Sequence, residues 1–500
     1  MFQVDWIKMW ADYTPERIAI EDAHTGQCFS YQDYFQYSCR LANHIKQEYN
    51  VSEGDRIAVL STNEVEYFFL FDAIKRIGAI MAPINFRLTP PEISYILKDC
   101  QSSLFIHQQQ YTETIQQIEN VAIPKQVMEF DGPQGIHKII SDSNISDLEL
   151  TMVGDLDTSC LILYTSGTTG FPKGVIISHG VMFWNSISTG LRLNLTQDDV
   201  TLSFLPFFHT GGWNVLTTPF LHRGAKQVFM RKFDPDQVLS LCDEKQVSIL
   251  FGVPTTLDVM ARTNTFQKVN LDSVRYAIVG GEPMPIELIK VWEDKGVPIR
   301  QGFGLTEFGP NVFSLSEKDS LRKIGSIGLP NFYIDVKIID ENGIEIDEAD
   351  QIGELALRGP ACTQGYWNNP DATAKTIRAG WLYTGDMVKR DEEGYYYVAG
   401  RKKDMYISGG ENVYPAEIEQ VISSHENIHE AAVIGVSHDQ WGEAGKAFVV
   451  LEEGAHLTAE QVLVYCRERL AKFKTPRYVK FVSELPKGDS GKILKRKLNR

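Results

Sequence analysis

Hydrophobic residues along the chain alternate between short β-branched runs and longer runs with helical spacing. RIAVLS (56–61) predicts a strand, EVEYFFLFDAIKRI before Gly78 a helix, AIMAPIN (79–85) a strand, and PPEISYILKDC (90–100) a helix that begins at proline. The alternation returns between residues 248 and 296, in SILFGVP, VRYAIVGGE and PIELIKVWEDKG. Strands that alternate with helices are typical of α/β layers with largely parallel sheets.

After about residue 325 the pattern changes to strands separated by Asn-Gly and Glu-Gly turns, which favours a more antiparallel, β-rich subdomain. Beyond residue 400 a helix begins at Pro415, the runs EAAVIGV, KAFVVLE and RYVKFV predict strands, and Thr458 caps a further helix. The sequence therefore predicts an α/β fold. We expect a large N-terminal domain (1–400) of layered α/β sheets with a β-rich subdomain, followed by a small mobile α+β domain (401–500).

Composition narrows the class of protein. The 500 residues exceed the size of one core, and 43% apolar with 23% charged residues is ordinary for a globular protein. A net charge of -16 argues against nucleic-acid binding. No apolar run reaches about 18 residues, so we expect no membrane span, which leaves peripheral membrane association open. Seven dispersed cysteines without a C-x-x-C pair indicate reduced thiols in a cytoplasmic protein. We expect either a monomer or a homodimer.

The segment YTSGTTGFPKGV (164–175) lies between two apolar runs, CLILY and GVIISH, that predict strands. Its glycines allow a tight turn with exposed backbone N–H groups, its Ser and Thr hydroxyls add donors, and Lys173 adds a positive charge, all of which suit phosphate oxygens. It is not a Walker A loop, because Pro172 stands where the second glycine of that motif would be. Alone, such a loop is more often an ordinary surface turn.

Further motifs follow in order: FFHTGG at 207–212, GGE at 280–282, QGFGLTE at 301–307, YTGD at 383–386, GRKKDMYISGGENVYPAEIE from 400 and PKGDSGKILKRKL from 486. With the glycine-rich loop they span nearly the whole chain, and together they resemble the adenylate-forming superfamily. That superfamily includes acyl-CoA synthetases, nonribosomal peptide adenylation domains and beetle luciferases. The overall resemblance is strongest to the acyl-CoA synthetase and fatty-acid–CoA ligase branch.

The resemblance implies a two-step ligase. A carboxylate joins AMP with release of pyrophosphate, and the acyl group then passes to a thiol. It implies ATP, Mg²⁺ and coenzyme A as cofactors, with a small-molecule carboxylic acid as the other substrate.

The nucleotide-binding residues are implied by position in the motifs. Those expected at the phosphates are Thr165, Ser166, Gly167, Thr168, Thr169, Gly170 and Lys173. Those expected around the rest of the nucleotide are Gly280, Gly281 and Glu282 at adenine, Asp386 and Arg401 at the ribose, and Gln301, Gly302, Phe303, Gly304 and Thr306. Mg²⁺ prefers carboxylate, phosphate and water oxygens, so Glu307 is the expected ligand and Thr165 a weaker one. Without the motifs, Glu307 could be a helix-terminus carboxylate and Asp386 an exposed turn residue.

The catalytic residues implied by the resemblance are Lys492, Glu307, His209 and Thr306. A cation at Lys492 would offset the charges of the attacking carboxylate and the α-phosphate. Because Lys492 lies in the small domain, the resemblance implies a site assembled across a moving interface. Lys403 matches the hinge, and the residues that match the coenzyme A path are Ser408, Gly409 and Gly410.

The acyl pocket is expected at His209, Trp213, Gly302 and Gly304. Amino-acid-activating relatives have aspartate where this chain has His209, so an amino acid is disfavoured. The uncharged run WNVLTTPFL favours an apolar acyl group, in which Trp213 is either a pocket wall or core. A medium- to long-chain fatty acid is the leading prediction. Alternatives are an aryl acid of the coumarate or succinylbenzoate type, a fatty-acyl-AMP ligase that loads a carrier protein, a luciferase-like oxidative enzyme, and a non-catalytic nucleotide-binding protein.

Overall fold

The computed structural model describes residues 5–118, 122–165, 172–409, 411–488 and 492–498. The α-helices, in chain order, are α1 Trp6–Tyr13, α2 Tyr31–Tyr49, α3 Glu66–Ile77, α4 Pro90–Cys100, α5 Thr112–Gln116, α6 Ile136–Ser141, α7 His179–Arg192, α8 Thr217–Arg223, α9 Pro235–Glu244, α10 Pro254–Ala261, α11 Asn264–Lys268, α12 Ile286–Asp294, α13 Pro370–Thr376, α14 Pro415–Ser423 and α15 Ala459–Arg467.

The strands, in the same order, are β1 Ile18–Asp22, β2 Cys28–Ser30, β3 Arg56–Leu60, β4 Ile80–Ile84, β5 Leu104–His107, β6 Gln126–Glu129, β7 Ser159–Thr165, β8 Lys173–Ser178, β9 Val200–Ser203, β10 Lys226–Phe229, β11 Ile249–Gly252, β12 Tyr276–Val279, β13 Ile299–Phe303, β14 Phe313–Ser314, β15 Leu329–Pro330, β16 Asp335–Ile339, β17 Gly353–Arg358, β18 Ile377–Arg378, β19 Trp381–Arg390, β20 Tyr396–Arg401, β21 Tyr406–Ser408, β22 Glu411–Val413, β23 Ile428–His438, β24 Gly442–Leu451 and β25 Tyr478–Phe481.

Two large sheets form the layered part of the N-terminal region. One has the order β6-β5-β3-β4-β7-β8 and is parallel except for the β7–β8 hairpin. The other has the order β15-β14-β13-β12-β11-β9-β10-β1-β2, and its strands from β13 to β1 are parallel. The α/β fold predicted from the alternating pattern is confirmed.

Helix α3 packs deep in the N-terminal core. Every residue from Tyr67 to Ile77 is buried. The helix ends where Gly78 adopts φ +78° and its N–H donates to the carbonyls of Ile74 and Lys75, as the sequence predicted. At the same end, the fully buried Arg76 forms ion pairs with Asp5 at 2.7 Å and Asp72 at 2.9 Å. These pairs tie helix α1 to the core.

The β-rich subdomain is an antiparallel sheet of β16, β17, β19 and β18, with β20 paired to β19. The Asn-Gly turn predicted after β16 is present, with Gly343 at φ +83°. The run after that turn is not a full strand, because only the single bridge Ile339–Glu345 forms there.

The small domain has its own sheet, in the order β22-β21-β24-β23 with β25 paired to β24. Helices α14 and α15 contribute to its core through Ile418, Ile422 and Val462. Strand β20 still belongs to the sheet of the β-rich subdomain and ends at Arg401, one residue past the predicted boundary, and the next strand begins at Tyr406. Among the described residues, no helix has the length and apolarity needed to cross a membrane.

Candidate active site

Three groups of predicted site residues lie at one edge of the nine-stranded sheet. Strands β9, β11, β12 and β13 run parallel, so their carboxyl ends lie side by side. The segments that leave these ends carry His209 after β9, Gly280 to Glu282 after β12, and Gly304 to Glu307 after β13. Ligands of open α/β sheets bind at this edge. The geometry therefore gathers three of the sequence motifs into one cleft.

Glycines form a wall of bare backbone in this cleft. A Cβ on Gly280 would lie 3.5 Å from the Gly302 carbonyl oxygen, and one on Gly302 would lie 3.4 Å from that of Phe313. At Gly304 a Cβ would lie 1.3 Å from the Pro310 carbonyl oxygen, so no other residue fits there. Gly281 has φ +91°, a conformation that favours glycine. Such a surface lets a flat group approach the backbone closely.

Gln301 and its neighbours support the glycine wall. The amide of Gln301 is buried, accepts from the Met284 N–H at 3.2 Å and donates to the Ser326 carbonyl at 3.3 Å. Phe303 packs on Phe313, with ring centroids 5.9 Å apart, and Thr306 is buried in the 3₁₀ turn Thr306–Phe308. Gln301 and Phe303 therefore hold the wall in place.

Asp386 and Arg401 face each other across strands β19 and β20. The Arg401 Nε lies 3.0 Å from Asp386 Oδ1, and its Nη1 donates to Asp386 Oδ2 at 3.2 Å and to the Thr384 carbonyl at 2.9 Å. Burial raises the pKa of the Asp386 carboxyl to about 6, against the opposing effects of Arg401 and Lys492. The result is a buried carboxylate held in one orientation, suited to accept hydrogen bonds from a diol.

Glu307 is fixed by a residue that the sequence analysis did not select. The Tyr366 hydroxyl donates to Glu307 Oε1 at 2.8 Å, and the Lys173 Nζ lies 5.0 Å from the centre of the Tyr366 ring. The Tyr366 segment is held in place because the Trp367 N–H donates to the Gly174 carbonyl at 2.7 Å. Lys173, at the start of β8, and Glu307 thus share one corner of the cleft.

The structure describes the two ends of the phosphate-binding motif, which lie on the paired strands β7 and β8. Thr165 and Lys173 are paired across β7 and β8, and the Thr165 hydroxyl lies 3.5 Å from the Lys173 carbonyl. Five predicted phosphate-binding residues fall outside the described residues: Ser166, Gly167, Thr168, Thr169 and Gly170. Thr165 and Lys173 mark where that segment leaves and rejoins the sheet.

Lys492 reaches the cleft from the small domain. Burial and the nearby Arg401 cation lower the pKa of Lys492, while the carboxylates of Glu282, Asp386 and Glu307 act in the opposite direction. Lys492 is nevertheless exposed, so its side chain is surrounded by many protein atoms but still contacts solvent. The small domain is therefore docked with its lysine among the nucleotide-binding candidates.

Glu282 faces the docked small domain. Burial raises the pKa of its carboxyl to about 7, and the Lys492 and Lys487 cations and the Ile493 backbone N–H oppose that rise. Glu282 was predicted to lie at the adenine. The structure adds that its carboxylate is directed towards the domain that carries Lys492.

His209 lies in the turn that follows β9. Burial, aided by the Lys492 cation, lowers the pKa of its imidazole to about 4, so the ring is neutral at pH 7. Its Nδ1 accepts from the Gly211 N–H at 3.3 Å, which leaves the ring proton on Nε2. His209 is thus a neutral donor near Lys492.

Directly after His209 the chain forms the π-helical turn Gly211–Val215. π-Helical turns are rare overall, but those that occur are often found at functional sites. The carbonyls of Asn214 and Val215 are satisfied by the Asn311 amide at 3.3 and 3.0 Å, and that of Asn214 also by the Asn185 amide at 2.7 Å. Buried amides therefore hold this turn.

Trp213 lies in the core, one of the two roles expected for it. It is fully buried, and its ring stacks on Phe207 with centroids 4.3 Å apart and contacts Phe71 at 4.7 Å. A small cavity of about 10 Å³ adjoins the same turn, lined by Thr201, Leu202, Ser203, Phe204, Leu205, Gly211, Gly212, Leu216, Thr217 and Phe251. The space next to the His209 segment is thus bordered by hydroxyls and Phe251.

The residues predicted for the hinge and the coenzyme A path lie in and next to strand β21. Lys403 is exposed in the turn between Arg401 and Met405. Ser408 is buried in β21, and Gly409 has φ +62° with its N–H donating to the Trp441 carbonyl at 2.9 Å. Gly410 falls outside the described residues.

Comparison with known proteins agrees with this geometry. The family model described as AMP-binding enzyme matches residues 7–367, and that of the AMP-binding enzyme C-terminal domain matches residues 417–492. The chain belongs to the AMP-binding enzyme family. It is an AMP-forming acid–CoA ligase, and its substrates and cofactor are ATP, coenzyme A, a carboxylic acid and Mg²⁺.

Relatives cover this enzyme almost from end to end. Feruloyl-CoA synthase of Amycolatopsis sp is 35% identical, with 99% of this chain and 98% of the relative covered. 2-Succinylbenzoate–CoA ligase of Geobacillus kaustophilus is 34% identical, with 99% and 97% covered. The solved structure of ATP-bound MatB from Rhodopseudomonas palustris has a TM-score of 0.91 at 32% identity, with 99% and 98% covered.

The residues at the Glu307 corner fit a magnesium ion. Mg²⁺ in nucleotide enzymes is bound by one or two carboxylates together with phosphates and waters, so a single protein carboxylate suffices. Glu307 accepts from Tyr366 at one carboxylate oxygen, and no side chain among the described residues donates to the other. Bound there, Mg²⁺ would neutralise phosphate charge.

Proposed function

We propose that this ligase activates a compact aryl carboxylic acid that carries a hydrogen-bond donor on its ring. In the first step the carboxylate attacks the α-phosphorus of ATP and pyrophosphate leaves. In the second, the coenzyme A thiolate attacks the acyl carbonyl and AMP leaves.

Four residues of the cleft have roles in this proposal. Lys492 offsets the charge of the attacking carboxylate and the α-phosphate, and neutral His209 borders the carboxylate. Asp386 accepts the ribose hydroxyls, and Glu307 holds Mg²⁺. The small domain then turns about Lys403 so that the Ser408 and Gly409 segment forms the thiol path.

The observation that carries the choice of acid is the hydroxyl pair in the cavity beside the His209 segment. The Thr217 hydroxyl donates to the Gly212 carbonyl at 2.6 Å, so its proton is used. The Ser203 and Thr217 hydroxyl oxygens lie 3.3 Å apart, and Ser203 must then be the donor of that pair. No other described residue donates to the Ser203 hydroxyl, so its acceptor positions are left for a donor in the cavity.

The size of that cavity agrees with a ring substituent. About 10 Å³ is the space for one water-sized group, such as a phenolic hydroxyl. Phe251 supplies a flat face at the same cavity. The relatives' names, feruloyl-CoA synthase and 2-succinylbenzoate–CoA ligase, support an aromatic acid, and the first of these two acids carries a phenolic donor.

A medium- to long-chain fatty acid, the leading prediction from the sequence, is the second candidate. The uncharged run after His209 favours it. However, this part of the run is buried inside the protein. Asn214 and Thr218 are hydrogen-bonded to each other at 3.3 Å, and Trp213 lies in the core. We also propose a cytoplasmic location, since all seven cysteines are free and a reducing compartment preserves them.

The test is an acid panel with ATP and coenzyme A, read by pyrophosphate release and by mass spectrometry of the thioester. The panel contains ferulate, 3,4-dimethoxycinnamate, indole-3-acetate, 2-succinylbenzoate, octanoate and palmitate. We expect an aryl acid to give the highest kcat/KM, and ferulate to exceed its O-methylated analogue by about 10-fold or more, since only ferulate can donate to Ser203. Highest turnover of palmitate or octanoate would replace the proposal with the fatty-acid candidate.

Ser203→Ala is the matched variant for this test. It should reduce the preference for ferulate over 3,4-dimethoxycinnamate to within about 2-fold, because the acceptor is lost. Thr218→Val is the control, since Thr218 is buried on the same segment but does not line the cavity. An unchanged preference in Ser203→Ala would contradict the assigned role of Ser203.

A further inference from the structure

The two domains are joined by an ion-pair cluster outside the catalytic cleft. Arg262, at the end of α10 in the large domain, donates from Nη2 to Glu452 Oε1 at 3.0 Å and from Nη1 to Glu452 Oε2 at 3.1 Å. Glu452 follows β24 in the small domain. The Arg262 Nη2 also donates to His429 Nδ1 of β23 at 3.2 Å. One guanidinium thus binds two strands of the other domain.

The geometry is that of a preorganised contact. Asp258, one helical turn before Arg262, accepts from the Arg262 Nε at 2.9 Å and fixes the guanidinium plane. Planar two-point pairing of arginine with a carboxylate is the stronger and more directional form of ion pair. The hydrogen bond from Arg262, with its charge, lowers the pKa of Glu452, so both partners stay ionised at neutral pH.

A continuous set of contacts leads from this cluster to Lys492. His429 is followed on β23 by Glu430, whose carboxylate pairs with the Lys487 ammonium at 2.8 Å. The backbone of Lys487 is bridged to Ile493, and the Gly488 N–H donates to the Lys492 carbonyl at 2.7 Å. Fixing the start of β23 against α10 therefore helps to fix the backbone of Lys487 and Gly488, and with it the backbone of Lys492.

We propose that Arg262 and Glu452 form an interdomain latch that holds the small domain in the orientation for acyl-adenylate formation and must open before thioester formation. The latch positions Lys492 and touches no substrate, and the proposal rests on the two-step function with domain rotation proposed above. The partial exposure of the Arg262–Glu452 pair suits a contact that must open in every catalytic cycle. Arg262 is 51% and Glu452 32% exposed, and a pair of this kind has a modest strength that thermal motion can break.

A modest pair is enough to shift the balance between two orientations of similar free energy. Loss of the latch should lower the rate of adenylate formation about two- to fivefold, which corresponds to about 0.4 to 1 kcal/mol. Transfer from supplied acyl-adenylate to coenzyme A should be unchanged or faster. A stronger latch would trap the enzyme after its first step.

The experiment compares Arg262→Glu, Glu452→Arg and the double exchange at pH 8, using ferulate or whichever acid of the panel above has the highest kcat/KM. Pyrophosphate release without coenzyme A measures the first step, and thioester formation from supplied acyl-adenylate measures the second. Each single variant should slow only the first step. The double exchange should restore it, because an opposite pair is re-formed. Arg467→Ala is the matched control, since Arg467 is 52% exposed and pairs with Glu460 inside the small domain.

Salt provides a second readout. Exposed ion pairs are screened, so the wild-type first step should slow with added salt towards the rate of Arg262→Glu, while that variant changes less. Equal loss of both steps, no loss in either, or a double exchange as slow as the single variants would overturn the latch. Failure of the wild type to form a CoA thioester with any acid would instead overturn the proposed function.

Discussion

The phenol of Tyr366 donates a hydrogen bond of 2.8 Å to the carboxylate of Glu307, 59 residues away in the chain. This bond fixes the carboxylate that we assign to Mg²⁺. Tyr366→Phe should lower kcat/KM for Mg·ATP by about 10-fold, since a hydrogen bond to a charged group is worth about 1.5–3 kcal/mol and water replaces part of it. Initial rates of pyrophosphate release at varied Mg·ATP measure the effect.

Tyr395→Phe is the control for that prediction, because the Tyr395 phenol also donates to a carboxylate, Asp319, at 2.7 Å but lies outside the cleft. Equal losses in both variants would assign Tyr366 a purely structural role.

Lys492 should matter for one half-reaction only. Lys492→Ala should slow acyl-adenylate formation by about 100-fold or more, the size expected for loss of a preorganised charge, and spare thioester formation from supplied adenylate. Rapid-quench measurement of each half-reaction tests this, with the exposed Lys497→Ala as control. Comparable losses in both half-reactions would refute the two-orientation scheme.

Gly409 gives the complementary prediction. Its φ is +62°, and a Cβ would lie 2.8 Å from the Trp441 ring, so Gly409→Leu must fill space on the proposed thiol path. Thioester formation should fall about 10-fold or more, while pyrophosphate release stays within about 2-fold. Gly454→Leu is the matched control, because Gly454 has φ +77° but faces open space. If adenylation in Gly409→Leu fell as far as transfer, Gly409 would be a structural turn.

Asp386 should make the enzyme less stable at high pH. Its carboxyl has a pKa raised from 3.8 to about 6, so its stabilising effect is present at low pH and is lost as pH rises through about 6. One unit of pKa shift corresponds to about 1.4 kcal/mol. The shift from 3.8 to about 6 therefore means that the ionised carboxylate lowers the free energy of unfolding by about 3 kcal/mol at pH 8. Asp386→Asn should raise the free energy of unfolding at pH 8, with a gain that shrinks towards pH 4.

Urea unfolding at pH 8 and pH 4.5 measures that difference, with Asp198→Asn as control because Asp198 is 92% exposed. The same Asp386→Asn variant should lose ATP binding. A variant that is less stable at pH 8 would show that the ion pair with Arg401 outweighs burial.

Trp213 should act on stability and leave substrate choice unchanged. It is fully buried and stacked on Phe207, so Trp213→Ala should lower the free energy of unfolding by about 3–5 kcal/mol, and Trp213→Phe by less. The order of kcat/KM over octanoate, palmitate and ferulate should stay the same in Trp213→Phe. A shift towards longer acids would restore Trp213 to the pocket wall.

Local signals in the sequence were sufficient for much of the fold. Gly78 ends α3 and Thr458 caps α15 because such end signals act within one turn of helix. The α/β layering is confirmed, and so are the family and the AMP-forming reaction. The individual roles of the site residues and the boundary at residue 400 stay predictions.

Local patterns did not predict direct contacts between distant segments. The resemblance placed Asp386 and Arg401 at the same ribose, but their ion pair depends on the register of β19 and β20, which shifts between Met387 and Val388. A one-residue slip reverses which face a side chain occupies, and no local pattern encodes such a shift. The Tyr366–Glu307 bond and the latch between Arg262 and Glu452 depend likewise on tertiary docking.

The close approach of Gly304 to the Pro310 carbonyl has an evolutionary consequence. Any side chain at Gly304 would force the Pro310 carbonyl to move, whereas a Cβ on Gly280 or Gly302 would make only ordinary contacts. The cavity around Ser203 and Phe251 is lined by side chains that can be exchanged. Acid preference should therefore evolve more readily through substitutions in that cavity than through any change at Gly304.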